Sequence, residues 1–248
     1  MANAGKKEHP RGPDWYRLCR DLSRPRGEGT LEPVHSSHAQ REKAIAAGAG
    51  VLELPVPDSD AGLVAALRSG RQSAKAALFD RYGRHVQRVL TRVLGPDPDI
   101  PDLLQDVFVS ALESIDRLED PNSLRPWLSR IAVFTARGRI RRRVRWRFIR
   151  HDPFDELAEV EAHLASAEVS EALRATYNAL NQLPPDERIA FALRFIDGME
   201  LTEVAEACGV SLATIKRRLT KAQRRFVDVA RRDPSLQEWL TRGARWTT

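Results

Sequence analysis

The stretch LTEVAEACGVSLATIKRRLT, residues 201–220, carries two apolar stripes at helical spacing with a glycine between them. Leu201, Val204, Ala205 and Cys208 fall on one helix face, and Ala205 is small where a second helix must come close. Gly209 can take the left-handed conformation that ends a helix, and Ser211 is a good N-cap for the next one. That second helix would bury Leu212, Ile215, Leu219, Ala222 and Phe226. At 3.6 residues per turn, Arg217, Thr220, Lys221 and Arg224 then lie opposite the stripe, with Thr214, Lys216 and Arg218 on its flanks. The outward face is basic and free of acid. This is the pattern of a helix-turn-helix, whose second helix enters the major groove, where Arg and Lys donate to guanine O6 and N7. The competing reading is an ordinary helical hairpin with a solvated charged face. Small residue, turn glycine, cap and acid-free face together favour DNA.

Working outward, the period of three and four dominates from Leu63 onward, and strand-like alternation is almost absent, so the chain reads as all-α. In PDLLQDVFVSALESI, residues 101–115, the apolar positions Leu104, Val107, Phe108, Ala111, Leu112 and Ile115 repeat at helix spacing. Pro101 fits the first turn, while Asp99 and Asp102 suit the positive end of the helix. The polar face carries Asp102, Gln105, Asp106 and Glu113. The pair Asp97 and Asp99 reads as turn and capping acids. A further helix starts near Ser123 and runs through Leu124, Leu128, Ile131 and Thr135. Trp127 beside that stripe reads as core rather than as a stacking platform.

This helix leads into RGRIRRRVRWRFIR, residues 137–150, with eight arginines among fourteen positions. Val144, Trp146 and Phe148 alternate as in a strand, whereas Ile140, Val144 and Phe148 share a helix face, and the helical surroundings favour helix. Gly138 costs a helix about 1 kcal/mol relative to Ala, so a bend or end is expected there, with fraying after Arg143. A membrane-surface helix is disfavoured because arginines nearly encircle the run. It reads instead as a nucleic-acid-facing surface, with Arg137, Arg139, Arg141 and Arg142 as phosphate contacts. The acidic stretch 151–168 that follows is a linker. Beyond it Val169, Leu173, Thr176, Leu180 and Leu183 mark another helix, closed by Pro184 and Pro185.

The architecture expected is therefore two small helical domains, over 58–150 and 169–228, joined by the acidic linker and followed by a tail over 229–248. Residues 1–57, rich in Gly, Pro, Ser and His, read as a disordered extension. The 248 residues are 42% apolar with a formal charge of +6, enough for real cores and unevenly distributed into basic patches. Two cysteines, Cys19 and Cys208, offer no disulfide framework or zinc site, and Cys208 reads as a packed thiol. His35 and His38 form an isolated HxxH without further ligands, so no metal or other cofactor is expected. No apolar run is long enough to span a membrane, and no signal core opens the chain, which points to the cytoplasm. Phosphate-binding, dinucleotide, HExxH and GxSxG motifs are missing, so catalysis has little to stand on.

Two segments resemble a known family. They are ALFDRYGRHVQRVL with DLLQDVFVSALESIDRLEDPNSLRPWLSRIA, and LPPDERIAFALRFIDGMELTEVAEACGVSLATIKRRLTKAQRRF. Together they resemble the extracytoplasmic-function (ECF) sigma factors of the sigma-70 family. The resemblance implies a sigma2-like helical bundle and a sigma4-like helix-turn-helix. It also implies core RNA polymerase and promoter DNA as partners, and an anti-sigma factor that holds the protein inactive. It assigns Asp102, Gln105 and Asp106 to polymerase docking and the helix from Ser211 to the minus-thirty-five element: Ser211, Thr214, Lys216, Arg217, Arg218, Lys221 and Arg224. It assigns the loop of Asp120, Asn122 and Ser123, with the arginine run, to the minus-ten element, where an extruded base needs hydrogen-bonding groups. Asn122 and Ser123 suit turn and N-cap roles equally well. The family pattern would place Asn and Asp where Phe134 and Gly138 stand. A conventional helix-turn-helix regulator that never joins polymerase is the alternative; such proteins usually dimerise, and no clear dimerisation stripe is present.

Overall fold

The computed structural model describes residues 57–150 and 167–237, apart from the side chains of 147–150 and 167–170. The extension, most of the linker and the end of the tail lie outside the described residues, as do His35, His38 and Cys19. Among the described residues every regular element is helical. The first lobe holds α1 (Asp60–Arg68), α2 (Gln72–Leu94), α3 (Ile100–Ser114) and α4 (Leu124–Arg150). The second holds α5 (Ala167–Leu180), α6 (Pro185–Phe191), a π-helical turn (Ala192–Asp197), α7 (Leu201–Cys208) and α8 (Leu212–Ala230).

In the first lobe α2, α3 and α4 pack on one another, and α1 closes one end. Leu78, Tyr82, Val86, Val89 or Leu90, and Val93 of α2 are buried at steps of three and four, the spacing that gives a helix one continuous apolar face. Opposite them α3 supplies Leu103, Val107, Phe108 and Ala111, with Ile115 buried just beyond its end and Leu104 and Leu112 only partly covered. The expected stripe is therefore rotated slightly to take in Leu103.

Helix α4 corrects the expectation at Gly138, because it continues without a break from Leu124 to Arg150. A side chain at Gly138 would meet no atom within 4 Å, so the glycine sits on an open face. Tertiary contacts on the opposite face offset its weak propensity. Ala136 and Ile140 are buried, and Asp97, its carboxylate fully covered, pairs with both Arg139 and Arg143 at 3.4 and 3.3 Å. The same carboxylate accepts from the Asp99 amide at 3.1 Å, so the expected turn acid also fastens α4.

The second lobe is built around Phe226, whose ring stacks on Phe191 at 4.7 Å; burying such a side chain is worth about 1.5–3 kcal/mol. Helix α5 begins at Ala167, slightly inside the expected linker. At the other end α8 runs to Ala230 and Leu236 is buried beyond it, so the expected tail begins as part of the packed lobe.

The lobes are not independent, since one cluster of buried apolar residues extends from Leu63 to Leu236 across both. One joint between them is the C-terminal end of α2, where the last carbonyls of a helix have no partner in the helix itself. The second lobe supplies partners. The Arg188 guanidinium, 2% exposed, donates to Val93 O at 3.1 Å and Leu94 O at 2.9 Å, and also to Asn181 Oδ1. The Tyr177 hydroxyl donates to Thr91 O and Arg92 O at 3.3 and 3.2 Å. A cation at this end also complements the helix dipole. Gly95 ends α2 with φ of 75°, and its missing Cβ leaves the place taken by the Tyr177 ring.

Candidate nucleic-acid interface

Helices α7 and α8 form the expected pair. Glu200 caps α7 reciprocally with Glu203, and Gly209 ends it with φ of 65° and ψ of 38°, the left-handed conformation its position predicts. The Ser211 hydroxyl accepts from the Thr214 amide at 3.3 Å and so starts α8. Ile215, Leu219, Ala222 and Phe226 are buried, along with Val204, Ala205 and the Cys208 thiol. Burial raises the Cys208 pKa to about 11, so it is a packed thiol at neutral pH. Leu212 departs from the expected stripe: in the first turn of α8, on the rim of the packed face, it is 37% exposed.

Outward from α8 point Lys216, Arg217, Thr220, Lys221 and Arg224, all exposed, beside exposed Ser211 and half-buried Thr214. Arg217 lies 3.4 Å from the Thr214 hydroxyl, which steadies it without burying it. Arg218 differs from these. It turns back to Asp186 at 3.0 Å, and the other oxygen of that carboxylate pairs with Arg137 of the first lobe at 2.9 Å. Asp186 was not singled out from the sequence; proline at the two preceding positions marks a helix start and hides a bridging role.

In the first lobe Asp120 is the capping residue, and this settles the local roles of Asn122 and Ser123. Its carboxylate accepts from the Asn122 amide at 3.0 Å, the Asn122 side chain at 3.2 Å and the Ser123 hydroxyl at 2.9 Å. The backbone donor of Asn122 and then the Ser123 hydroxyl lower the Asp120 pKa, so it stays ionised. The three residues form one small polar turn (Pro121–Ser123 is 3-10) leading straight into α4, with the Asn122 side chain exposed. Trp127 is half-buried and packed against the core, as its place beside Leu124 and Leu128 predicts.

The arginine run divides by face. Arg141 and Arg142 are exposed, whereas Arg139 is tied to Asp97 and Asp99, the latter at 2.6 Å, and Arg137 to Asp186. Phe134, where the family pattern has Asn, is 71% exposed. It borders an open groove of about 640 Å³ among the ends of α3 and α7 and the side of α4, together with Ser110, Glu113, Trp127, Arg130, Cys208 and Gly209. On α3, Asp102, Gln105 and Asp106 form an exposed acidic row. No group of three or more metal-ligating side chains occurs among the described residues, and none of their helices is long and apolar enough to cross a membrane.

Among the described residues the chain thus combines an all-helical fold, a capped helix-turn-helix, an acid-free basic face on its second helix and further exposed arginines on α4, features suited to contact with a nucleic-acid backbone. The comparisons with known proteins specify the family. The Sigma-70 region 2 family model matches residues 78–146, and the Sigma-70 region 4 model matches residues 173–225. The chain is 30% identical over 175 residues to the ECF RNA polymerase sigma-E factor of Haemophilus influenzae, an alignment covering 66% of this chain and 92% of that one. It is 28% identical over 179 residues to the ECF RNA polymerase sigma-E factor of Escherichia coli strain K12, covering 66% and 91%. A solved structure of CnrH in complex with the cytosolic domain of CnrY aligns at 26% identity and a TM-score of 0.49, over 71% of this chain and 99% of that one. The chain belongs to the sigma-70 family, in its extracytoplasmic-function group.

Proposed function

We propose that this sigma factor joins core RNA polymerase and directs it to promoters by reading two DNA elements, one with each lobe. The observation that carries the reading is the occurrence, in order on one chain, of region 2 and region 4 with a basic, exposed recognition face on α8. Lys216, Arg217, Lys221 and Arg224 are the residues proposed for the minus-thirty-five element, with Ser211 and Thr214 at the helix start for phosphate contact. Arg218 joins them once it leaves Asp186. Arg141 and Arg142 are proposed for phosphates beside the minus-ten element, with Arg137 contributing when its ion pair opens. Arg139 is better understood as the residue that holds Asp97 and keeps α4 straight. Asp120, Asn122 and Ser123 are proposed as the polar turn that meets an extruded base, with Asn122 offering its exposed amide.

Asp102, Gln105 and Asp106 are proposed as the polymerase-docking row. The bond-making chemistry belongs to the polymerase, so the chain acts as an initiation factor rather than an enzyme, and it works in the cytoplasm where polymerase is. The family relationship also suggests an anti-sigma protein as its inhibitor. A run-off transcription assay tests the core of the reading. Purified chain added to core polymerase should start transcripts at defined genomic positions that share an upstream motif. A conventional regulator added to core alone would start none, and that result would reject the proposal.

A further inference from the structure

The acidic row of α3 has an apolar residue at its centre. Asp102, Gln105, Asp106, Val109 and Glu113 recur at steps of three and four and are all exposed, Val109 to 46%. On the adjoining α2, Phe79 is 48% exposed. Its ring rests on Phe108 at a centroid distance of 5.1 Å and lies over Gly83, where an added Cβ would stand 3.6 Å from it. Leu112, only partly covered, falls on the α3 face between Phe108 and Val109. Two open apolar side chains on neighbouring helices, with Asp80, Asp102, Asp106 and Glu113 around them, make an apolar patch with an acidic rim.

The chain carries a segment of matching chemistry outside both family-model matches, which cover 78–146 and 173–225. In PDWYRLCRDLSRPR, residues 13–26, the apolar positions Trp15, Leu18, Cys19 and Leu22 recur at i, i+3, i+4 and i+7. Asp14 suits an N-cap and Pro25 a stop, so the sequence pattern is that of a short amphipathic helix of the kind that lies in an apolar groove. Residues 1–26 hold seven lysines and arginines against three acids. Arg17, Arg20 and Arg24 stand behind and beside the stripe; on a helix about 10 Å across they come within about one Debye length, ~10 Å, of acids at the rim. The other apolar run of the extension, AIAAGAGVLELPV over 44–56, has one acid and no base, and so lacks the complementary charge. The described chain begins beside the patch, because the Pro57 carbonyl accepts from Arg81, two positions after Phe79, at 3.2 Å. The 32 residues from 25 to 56 span about 30 Å as a flexible linker and hold the segment at an effective concentration of about millimolar. Modest intrinsic affinity is then enough. We propose that residues 14–24 dock on the patch of Phe79 and Val109 in the polymerase-free chain, as an internal ligand that core polymerase must displace. The competition with polymerase rests on the docking row proposed above, whereas the docking itself rests on the patch and the segment alone.

The test uses the full chain with Phe79→p-benzoylphenylalanine, which on irradiation bonds to whatever lies over the patch. Mass spectrometry of the digested monomer should place the link within residues 14–24. Leu18→Asp combined with Leu22→Asp should abolish that link while helical circular dichroism stays nearly unchanged. If the photolabel at position 79 costs the helical signal, Val109→p-benzoylphenylalanine decides instead. Without the photolabel, the same double variant should bind core polymerase about threefold more tightly than wild type or better, as the fraction free to bind rises from about one third towards one. No link, a link elsewhere in the chain, a link that survives the double variant, or a link between two copies would each overturn the docking. Docking with unchanged polymerase affinity would overturn the competition. Failure of every form, wild type included, to bind core would reject the docking row and the competition together, while the photolink would still report on the docking.

Discussion

Gly95→Ala concentrates several effects at one atom. Gly95 has φ of 75° and ψ of −155°, a region that residues with a side chain almost never occupy, and holding Ala there costs about 1–3 kcal/mol. The new methyl would also lie 2.6 Å from Cγ and Cδ1 of the Tyr177 ring, well inside contact distance, so the ring has to move. If it moves, its hydroxyl proton leaves the Thr91 and Arg92 carbonyls that share it, and losing that hydrogen bond costs about 1 kcal/mol. The sum is a destabilisation of about 2–4 kcal/mol, large against the stability of a domain. Urea denaturation followed by circular dichroism measures it. The steric and hydrogen-bond part should vanish in a Tyr177→Ser background, where Gly95→Ala should cost only the backbone term. A loss below about 1 kcal/mol in the wild-type background, or an equal loss in both backgrounds, would refute the contact between the lobes as the source.

Three further outcomes are expected. Arg217→Ala should weaken binding of the holoenzyme to a promoter found by transcript sequencing, by ~1–3 kcal/mol if the guanidinium makes a bidentate base contact; band-shift titration at fixed salt checks it. Asp102→Ala combined with Asp106→Ala should reduce core polymerase affinity while leaving thermal stability nearly unchanged, because both side chains are exposed; fluorescence anisotropy with labelled core reads the first and a melt the second. His85 hydrogen-bonds the Ser129 hydroxyl at 2.7 Å, and desolvation, then Arg125 and Arg88, lower its pKa to about 4. The unfolded chain therefore takes up a proton near pH 6.5 that the folded chain refuses until about 4, so stability falls as pH drops through that window. His85→Gln should flatten this slope in urea midpoints measured from pH 7 to pH 4.

The residues of 201–226 announce their fold because every local rule agrees there: cap, turn glycine and apolar period all point to one geometry. The structure repeats it almost residue by residue, with Leu212 alone displaced to the rim. Gly138 shows the opposite case. Local propensity predicts a bend, but the bonds of Arg139 and Arg143 to a buried Asp97 keep α4 continuous, and Asp97 is about forty positions away in sequence. The polar turn before α4 lies between the two. Its composition suits several roles, and only the positions of the Asn122 and Ser123 donors identify Asp120 as the acceptor they share.

By itself the sequence determined the helical class, the helix-turn-helix and the basic outward face, because those depend on periods and caps within a few residues of each other, while the family rests on the likeness of whole segments to sigma-70 regions 2 and 4. Only the tertiary structure decided which arginines face outward and which are held. Arg141 and Arg142 differ from Arg137 and Arg139 by their angle around one helix and by acids brought from elsewhere in the chain. It also decided that the two lobes share a core, since the capping of α2 by Arg188 and Tyr177 joins residues more than eighty positions apart. Such pairings depend on how whole helices pack, and no spacing along the chain encodes them.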